Sequence, residues 1–384
     1  MVARIEAQRP LVEEIVETLY RDPELGLAEV RAARMLQSIM AREGFSVESG
    51  LAGMPTAFRA ERGRGRPAIA FLAEYDALPG IGHGCGHNLI AACSTVAALA
   101  CAQAIPADRE GRWLLIGTPA EETVGGKLAM VDAGVFTEID AALIAHPSRQ
   151  NGLGGSSWAS HPIEITYRGR ASHAGASPQD GINALDALVM GYTQIRSLRN
   201  GLRDDVRLAG IITHGGEAQN IVPELARARF TVRATEWRYL EDVVLPKVRR
   251  AAEGAALATG AELELRHHEP LFRETLEHPV LREIARRNFA FLGETIPSVE
   301  GGDGGVTDVG GVTWVTPCIQ IRFGMTDARP HSRELADDTV TPRGIQATLM
   351  AAKVLALTAL DLAWNPGAVR EARDGLRHVA ERRE

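Results

Sequence analysis

Seven residues of metal-ligand type stand where apolar segments run out. Asp76 follows AIAFLAEY, and Cys85 and His87 lie in GHGCGH. Glu121 and Glu122 follow WLLIGTPA, His146 follows AALIA, and His331 lies in DARPHS. A thiolate, imidazoles and carboxylates are the ligand set of zinc and similar borderline ions. Two ions about 3.5–4 Å apart can clamp one water and the carbonyl oxygen it attacks. The adjacent pair Glu121–Glu122 suits a division of labour, because consecutive side chains diverge in an irregular turn. One carboxylate can then bind metal while its neighbour faces the water as a general base.

Each residue also has a plainer reading. A lone strand-end histidine is more often a hydrogen-bonded structural residue, and adjacent glutamates are more often solvated surface. Those readings lose force because the candidates share one kind of place, the end of an apolar strand or a Gly/Pro turn. His161, His214, His267, His268 and His278 lack that context. His83 is either an orienting partner of Cys85 or of a water, or a turn residue. Cys93, Cys101 and Cys318 read as buried small hydrophobes rather than a disulfide framework.

The elements that must position these residues follow from periodicity. Residues 9–20 and 27–43 read as helices, with Gly44 as a stop, and 55–61 and 67–73 as strands. After the Gly-rich turn come helix NLIAACSTVAALACAQ, strand RWLLIGT, acidic turn PAEETVGG, helix KLAMVDAGVF and strand AALIAHP. Strands alternating with helices predict an α/β, mainly parallel sheet covered on both faces. From Ala159 the order becomes βαββαβ, the ferredoxin-like arrangement. Helix–strand alternation then resumes and ends in RGIQATLMAAKVLALTALDLAW. The expected organisation is a catalytic domain in two parts, residues 1–158 and 272–384, interrupted by an inserted domain at 159–271.

Composition agrees with a globular chain of 384 residues, 45% apolar and 24% charged. The formal charge is −7 and the cations are scattered, which argues against nucleic acid as a partner. No apolar run reaches the roughly 20 residues that would span a bilayer, so no membrane partner is expected. Glu6, Glu13, Glu14 and Glu17 interrupt the apolar pattern of the N-terminus, so a cytoplasmic location is expected.

The chain resembles the family of aminoacylases, carboxypeptidase G and the plant auxin-conjugate hydrolases. It is most similar to the auxin-conjugate and p-aminobenzoyl-glutamate hydrolase subgroup. The resemblance lies in GHGCGHN, PAEET, the AHP at 145–147, GRASHAGASPQDGINALDA, GGEAQNIVP and TDVGGVTWVTP, in order along nearly the whole chain. It implies the same fold, with the inserted domain as a movable lid and a homodimer formed through it. It implies metal ligation by Cys85, His87, Glu122, His146 and His331, with Glu121 as general base. More distant relatives carry His-x-Asp before the turn, where this chain has Glu74 and Asp76. The resemblance leaves Asp76 the task of orienting a ligand. His173 matches a carbonyl-polarising histidine that often serves the partner subunit, and Asn220 matches a substrate contact. Arg233 could hold a substrate carboxylate through a bidentate pair, or be a solvated strand arginine.

The expected activity is hydrolysis of the amide bond in a small N-acyl amino acid, amino-acid conjugate or dipeptide, with two divalent ions. Zinc, manganese and cobalt all suit the ligands. An aminohydrolase releasing ammonia and a non-catalytic binding homologue are the alternatives.

Overall fold

The computed structural model describes residues 1–383 apart from 105, 107–108, 156 and 298–304. The chain divides into two compact units. One comprises Met1–Ser156, Thr275–Asp303 and Thr307–Arg382; the other is chiefly Ser157–Glu274.

The first unit is built on a six-stranded sheet. Its strands are β1 (Ser46–Ser49), β2 (Phe58–Arg64), β3 (Ala68–Ala73), β4 (Gly111–Gly117), β5 (Ala141–Ser148) and β10 (Cys318–Gly324). Their order is β1-β2-β4-β3-β5-β10. β4, β3, β5 and β10 run parallel, while β1 and β2 form an antiparallel margin. Every residue of β3 is buried, which explains its unbroken AIAFLA run. Ile69, Phe71 and Ala73 enter one core and Ala68, Ala70 and Leu72 the other, so the two-residue strand period feeds both faces.

Helices His87–Ala104 and Pro342–Trp364 supply much of the cover. By length and composition both could cross a membrane, which corrects the expectation that no apolar run is long enough. Here 89% and 83% of their most apolar stretches are buried inside the protein, so they serve as core helices. Helix Val2–Glu6, strand β1 and helix Pro366–Arg383 are among the described elements that lack a counterpart in the periodicity. The helix expected at 27–43 begins at Val30, because Leu27 takes a left-handed φ of 65°. The Glu24 carboxylate then accepts the Arg31 and Ala32 backbone N–H groups at 2.8 and 2.9 Å.

The second unit carries β6 (Ala159–Arg168), β7 (Arg207–His214), β8 (Leu225–Ala234) and β9 (Glu262–His267). All pairs are antiparallel in the order β7-β8-β6-β9, as a ferredoxin-like βαββαβ chain requires. Ala226, Ala228, Phe230, Val232 and Ala234 of β8 point into one apolar core shared with helices Ala184–Ser197 and Leu245–Thr259. Asn183 caps the first of these helices through its side chain, accepting from Leu185 and Asp186.

Candidate metal centre

The polar cluster forms at the carboxyl ends of the parallel strands, where an open α/β sheet leaves room for a site. Beyond β3 the chain stays buried through Glu74, Tyr75 and Asp76. Tyr75 donates its hydroxyl to Thr56 O at 2.6 Å, which pins this stretch. Gly86 separates Cys85 from His87 with φ 76°, and a Cβ there would come within 2.5 Å of Pro147 Cγ. Only glycine lets the turn approach β5, which carries His146. Past β4, Ala120 adopts φ 61° and donates its N–H to Glu29 Oε1 at 2.8 Å. Glu29 is fully buried and also accepts from Thr56 Oγ1 at 3.1 Å, so it props the turn bearing Glu121 and Glu122. His331 takes φ 59° and donates its backbone N–H to Gly84 O at 2.9 Å, tying its loop to the Gly-rich turn.

These elements bring all five expected ligands together. Cys85 Sγ lies 3.4 Å from His146 Nε2, and His331 Nε2 lies 3.4 Å from Glu122 Oε1. His87 Nε2 lies 4.0 Å from the same Glu122 oxygen. Among these donors and Glu121, three trios have ligand atoms within 4.8 Å of one another: Cys85–His87–His146, Cys85–Glu122–His331 and His87–Glu121–Glu122. His146 Nδ1 lies 2.8 Å from Pro147 O, and His87 Nδ1 lies 3.0 Å from both Asp76 O and Asp76 Oδ1. Donating through Nδ1 leaves Nε2 of each ring as the ligand atom. His87 Nε2 and Glu122 Oε1 are buried and make no well-formed hydrogen bond among the described residues, having only loose polar neighbours at 3.5 and 3.4 Å. Buried polar atoms are nearly always satisfied, and a divalent cation is the partner this donor chemistry fits.

Electrostatics sharpen the picture. Burial opposes charge on Asp76, but His87 and the Glu122 N–H outweigh it and hold the carboxyl below its usual range. Burial likewise opposes charge on Glu122, and His331 and His87 outweigh it. Burial pushes the Cys85 thiol up to about 12, and the carboxylates of Glu122 and Glu121 add to that. A bound divalent ion supplies the opposite field and turns a coordinating thiol into a thiolate. Burial, then Glu74 and Asp308, raise Glu121 well above the ordinary carboxylate range.

Residues 70–355 match peptidase family M20/M25/M40, a span that contains every member of the donor cluster. The chain belongs to that family. It is a hydrolase of peptide or amide bonds. It is 37% identical to the Xaa-Arg dipeptidase of Mus musculus, over 84% of this chain and 78% of the relative. It is 28% identical to one of the p-aminobenzoyl-glutamate hydrolase subunits of Escherichia coli K12, over 98% and 94% of the two chains. In fold it is similar to a dinuclear metal-binding M20 peptidase from Bacillus subtilis, with TM-score 0.71, 22% identity, and 94% and 99% coverage.

The remaining expected residues of this M20 hydrolase lie in the second unit. His173 Nδ1 accepts the Gly175 and Ala176 N–H groups, each at 3.1 Å, so its ring proton sits on Nε2. Ala174 donates its N–H to Asn220 O at 2.9 Å, which places His173 and Asn220 on adjoining strands of chain. Arg233 sits on β8 between Ser160 and Arg207. His83 is buried, and neither ring nitrogen makes a well-formed hydrogen bond to Cys85 among the described residues. Burial takes it down to about 3, and it lines an apolar pocket of about 420 Å³ with Tyr20, Leu78 and Ile81. Cys93, Cys101 and Cys318 are free and buried.

Four buried acids and bases at this site escaped the sequence reading: Glu29, Glu74, Lys127 and Asp308. Glu74 was visible only as a departure from His-x-Asp. Asp308 lies in TDVGG and Lys127 in GGKLAM, but nothing in those segments alone links them. Glu29 has no motif at all.

Proposed function

We propose that this M20 hydrolase binds two divalent ions through Cys85, His87, Glu122, His146 and His331, and cleaves dipeptides or N-acyl amino acids with Glu121 as general base. The supporting observation is the convergence of the five donors with Glu121 beside them. Zinc or manganese suits the donors. Bound ions would polarise the scissile carbonyl and acidify the attacking water.

The chain's own groups supply the rest. Glu121 takes a proton from the water and delivers it to the leaving nitrogen. Burial, then Glu74 and Asp308, raise its affinity for a proton in the metal-free site; bound cations would oppose that shift and leave the carboxylate ionised, able to take the proton and pass it on. Asp76 orients His87 and the Glu122 backbone. His173 offers its Nε2–H to the substrate carbonyl, and Asn220 and Arg233 contact substrate. Dipeptides come first among the substrate classes, because the mouse and human relatives at 37% and 34% identity are Xaa-Arg dipeptidases.

The test is metal-loaded protein incubated with a panel of dipeptides, including Xaa-Arg, and N-acyl amino acids. Free amino acid should appear with at least one of them. Ammonia release without amino-acid release would replace this reading with a deaminase. No turnover of any amide would leave only a binding role.

A further inference from the structure

Beside the donor cluster lies a second group of charges. Lys127, the second residue of helix Gly126–Asp132, is fully buried. Its Nζ lies 2.6 Å from Glu74 Oε1 and 2.6 Å from Asp308 Oδ1. Asp308 also accepts the Lys127 backbone N–H through Oδ2 at 2.9 Å, so one carboxylate holds the lysine at both ends. The other oxygen of Glu74 lies 3.5 Å from His87 Nε2. Oxygens of Glu74, Glu121 and Asp308 lie within 4.8 Å of one another.

Three carboxylates this close repel unless a cation stands among them. Packing alone does not explain the lysine, since burying an ammonium is costly and an apolar chain could fill the same space. Its two ion pairs run to the residues that flank Glu121 on the side of Asp308 and Glu74. Asp308 is set by its bond to a helix backbone, and Glu74 by its place at the end of β3. The ammonium joins these two fixed points.

We propose that Lys127 is a positioning residue for Glu121: it gathers Glu74 and Asp308 into a fixed wall that holds the Glu121 carboxylate toward the donor cluster. The proposal rests on Glu121 as general base. The ammonium also fills the place that a hard cation would take among three carboxylates, which leaves the divalent ions to the Cys, His and Glu122 donors.

The experiment is Lys127→Ala, loaded with Mn²⁺. Mn²⁺ content should stay at least at the parent's, and KM should change less than about threefold, while kcat falls at least about tenfold. Added n-propylammonium should restore part of kcat, and n-propanol of the same size should not. Parental kcat, or equal rescue by the alcohol, overturns the proposal, because volume and not charge would then matter. If Lys127→Ala does not fold, the charge-balanced pair Lys127→Met with Asp308→Asn takes its place. A depressed kcat there supports the positioning role, and a parental one overturns it. If the parent hydrolyses no amide, the base assignment fails separately. The crystal structure of the variant then decides: a displaced Glu121 carboxylate supports the role of Lys127, and an unmoved one overturns it.

Discussion

Asp76 and His87 are locked together, with Oδ1 of the carboxylate 3.0 Å from Nδ1 of the imidazole. The second oxygen, Oδ2, accepts the Glu122 N–H at 2.9 Å, so one buried acid sets two of the candidate ligands. Asp76→Ala is therefore expected to weaken metal binding by roughly 10–100-fold, the usual cost of losing a partner that orients a ligand. Competition against a chelator measures it. Unchanged affinity would mean that His87 needs no orienting.

His173 has its Nδ1 occupied by two backbone N–H groups, which leaves Nε2–H as a fixed donor. Replacing it with alanine should lower turnover by about one to three orders of magnitude, as loss of an oxyanion donor does. Metal content should stay at the parent's level. A variant that keeps parental turnover removes His173 from the chemistry.

The two edges of the four-stranded sheet differ. β9 presents Glu262, Glu264 and Arg266, charges that discourage strand pairing. β7 leaves Ile211 64% and Ile212 45% exposed. An open apolar edge of this kind is where a second copy would pair, so the homodimer is expected to form through β7. Light scattering should give a dimer for the parent, and Ile211→Lys should raise its dissociation constant by about tenfold or more. A monomeric parent would dismiss the dimer.

His161 gives a pH dependence away from the metal centre. It is 1% exposed and stacks 4.6 Å from the Trp237 ring centroid, with His267 edge-on at 5.3 Å. Burial, then His267, depress it to about 4; the Glu241 carboxylate, with Oε1 3.2 Å from Nε2, pulls the other way. The folded form thus prefers neutral His161. As pH falls below the unfolded value of 6.5, the unfolded chain takes up the proton first, and stability is lost until the folded value near 4 is reached. That loss is at most ~3 kcal/mol. Denaturant midpoints at pH 7 and pH 4.5 should fall less in His161→Gln than in the parent. Parallel slopes would show that His161 is not the group responsible.

The donor cluster was legible because most of its members end a strong local pattern; His331 in DARPHS does not, and the family resemblance pointed to it. β3 and β5 are apolar runs, and Cys85 and His87 stand in a turn so rich in glycine that it announces a tight approach. The antiparallel sheet of the second unit was equally plain in its alternating strands. β1 was hidden because SVES has a largely exposed, polar pattern with no apolar alternation. Helix Pro366–Arg383 was hidden because it follows the long apolar helix directly, with Pro366 in its first turn and a mostly polar sequence. The supports of the site were least visible. Glu29 reaches a turn 91 residues away, and Lys127 meets Asp308 across 181 residues, separations that no periodic pattern encodes.

Glu121 and Glu122 are adjacent and chemically alike, yet they face different partners. Glu122 Oε1 lies 3.4 Å from His331 Nε2, while Glu121 stands with Glu74 and Asp308 as well as with His87. The most direct measurement is turnover and metal content of Glu121→Gln beside Glu122→Gln. Glu121→Gln should keep the parent's two ions per chain and bind substrate nearly as well, with turnover down at least about a thousandfold, near the upper range for a general base. Glu122→Gln should lose metal and fall in activity through that loss. Glu121→Gln retaining more than about a tenth of parental turnover would contradict the assignment of the pair, since loss of a general base costs roughly a hundredfold or more.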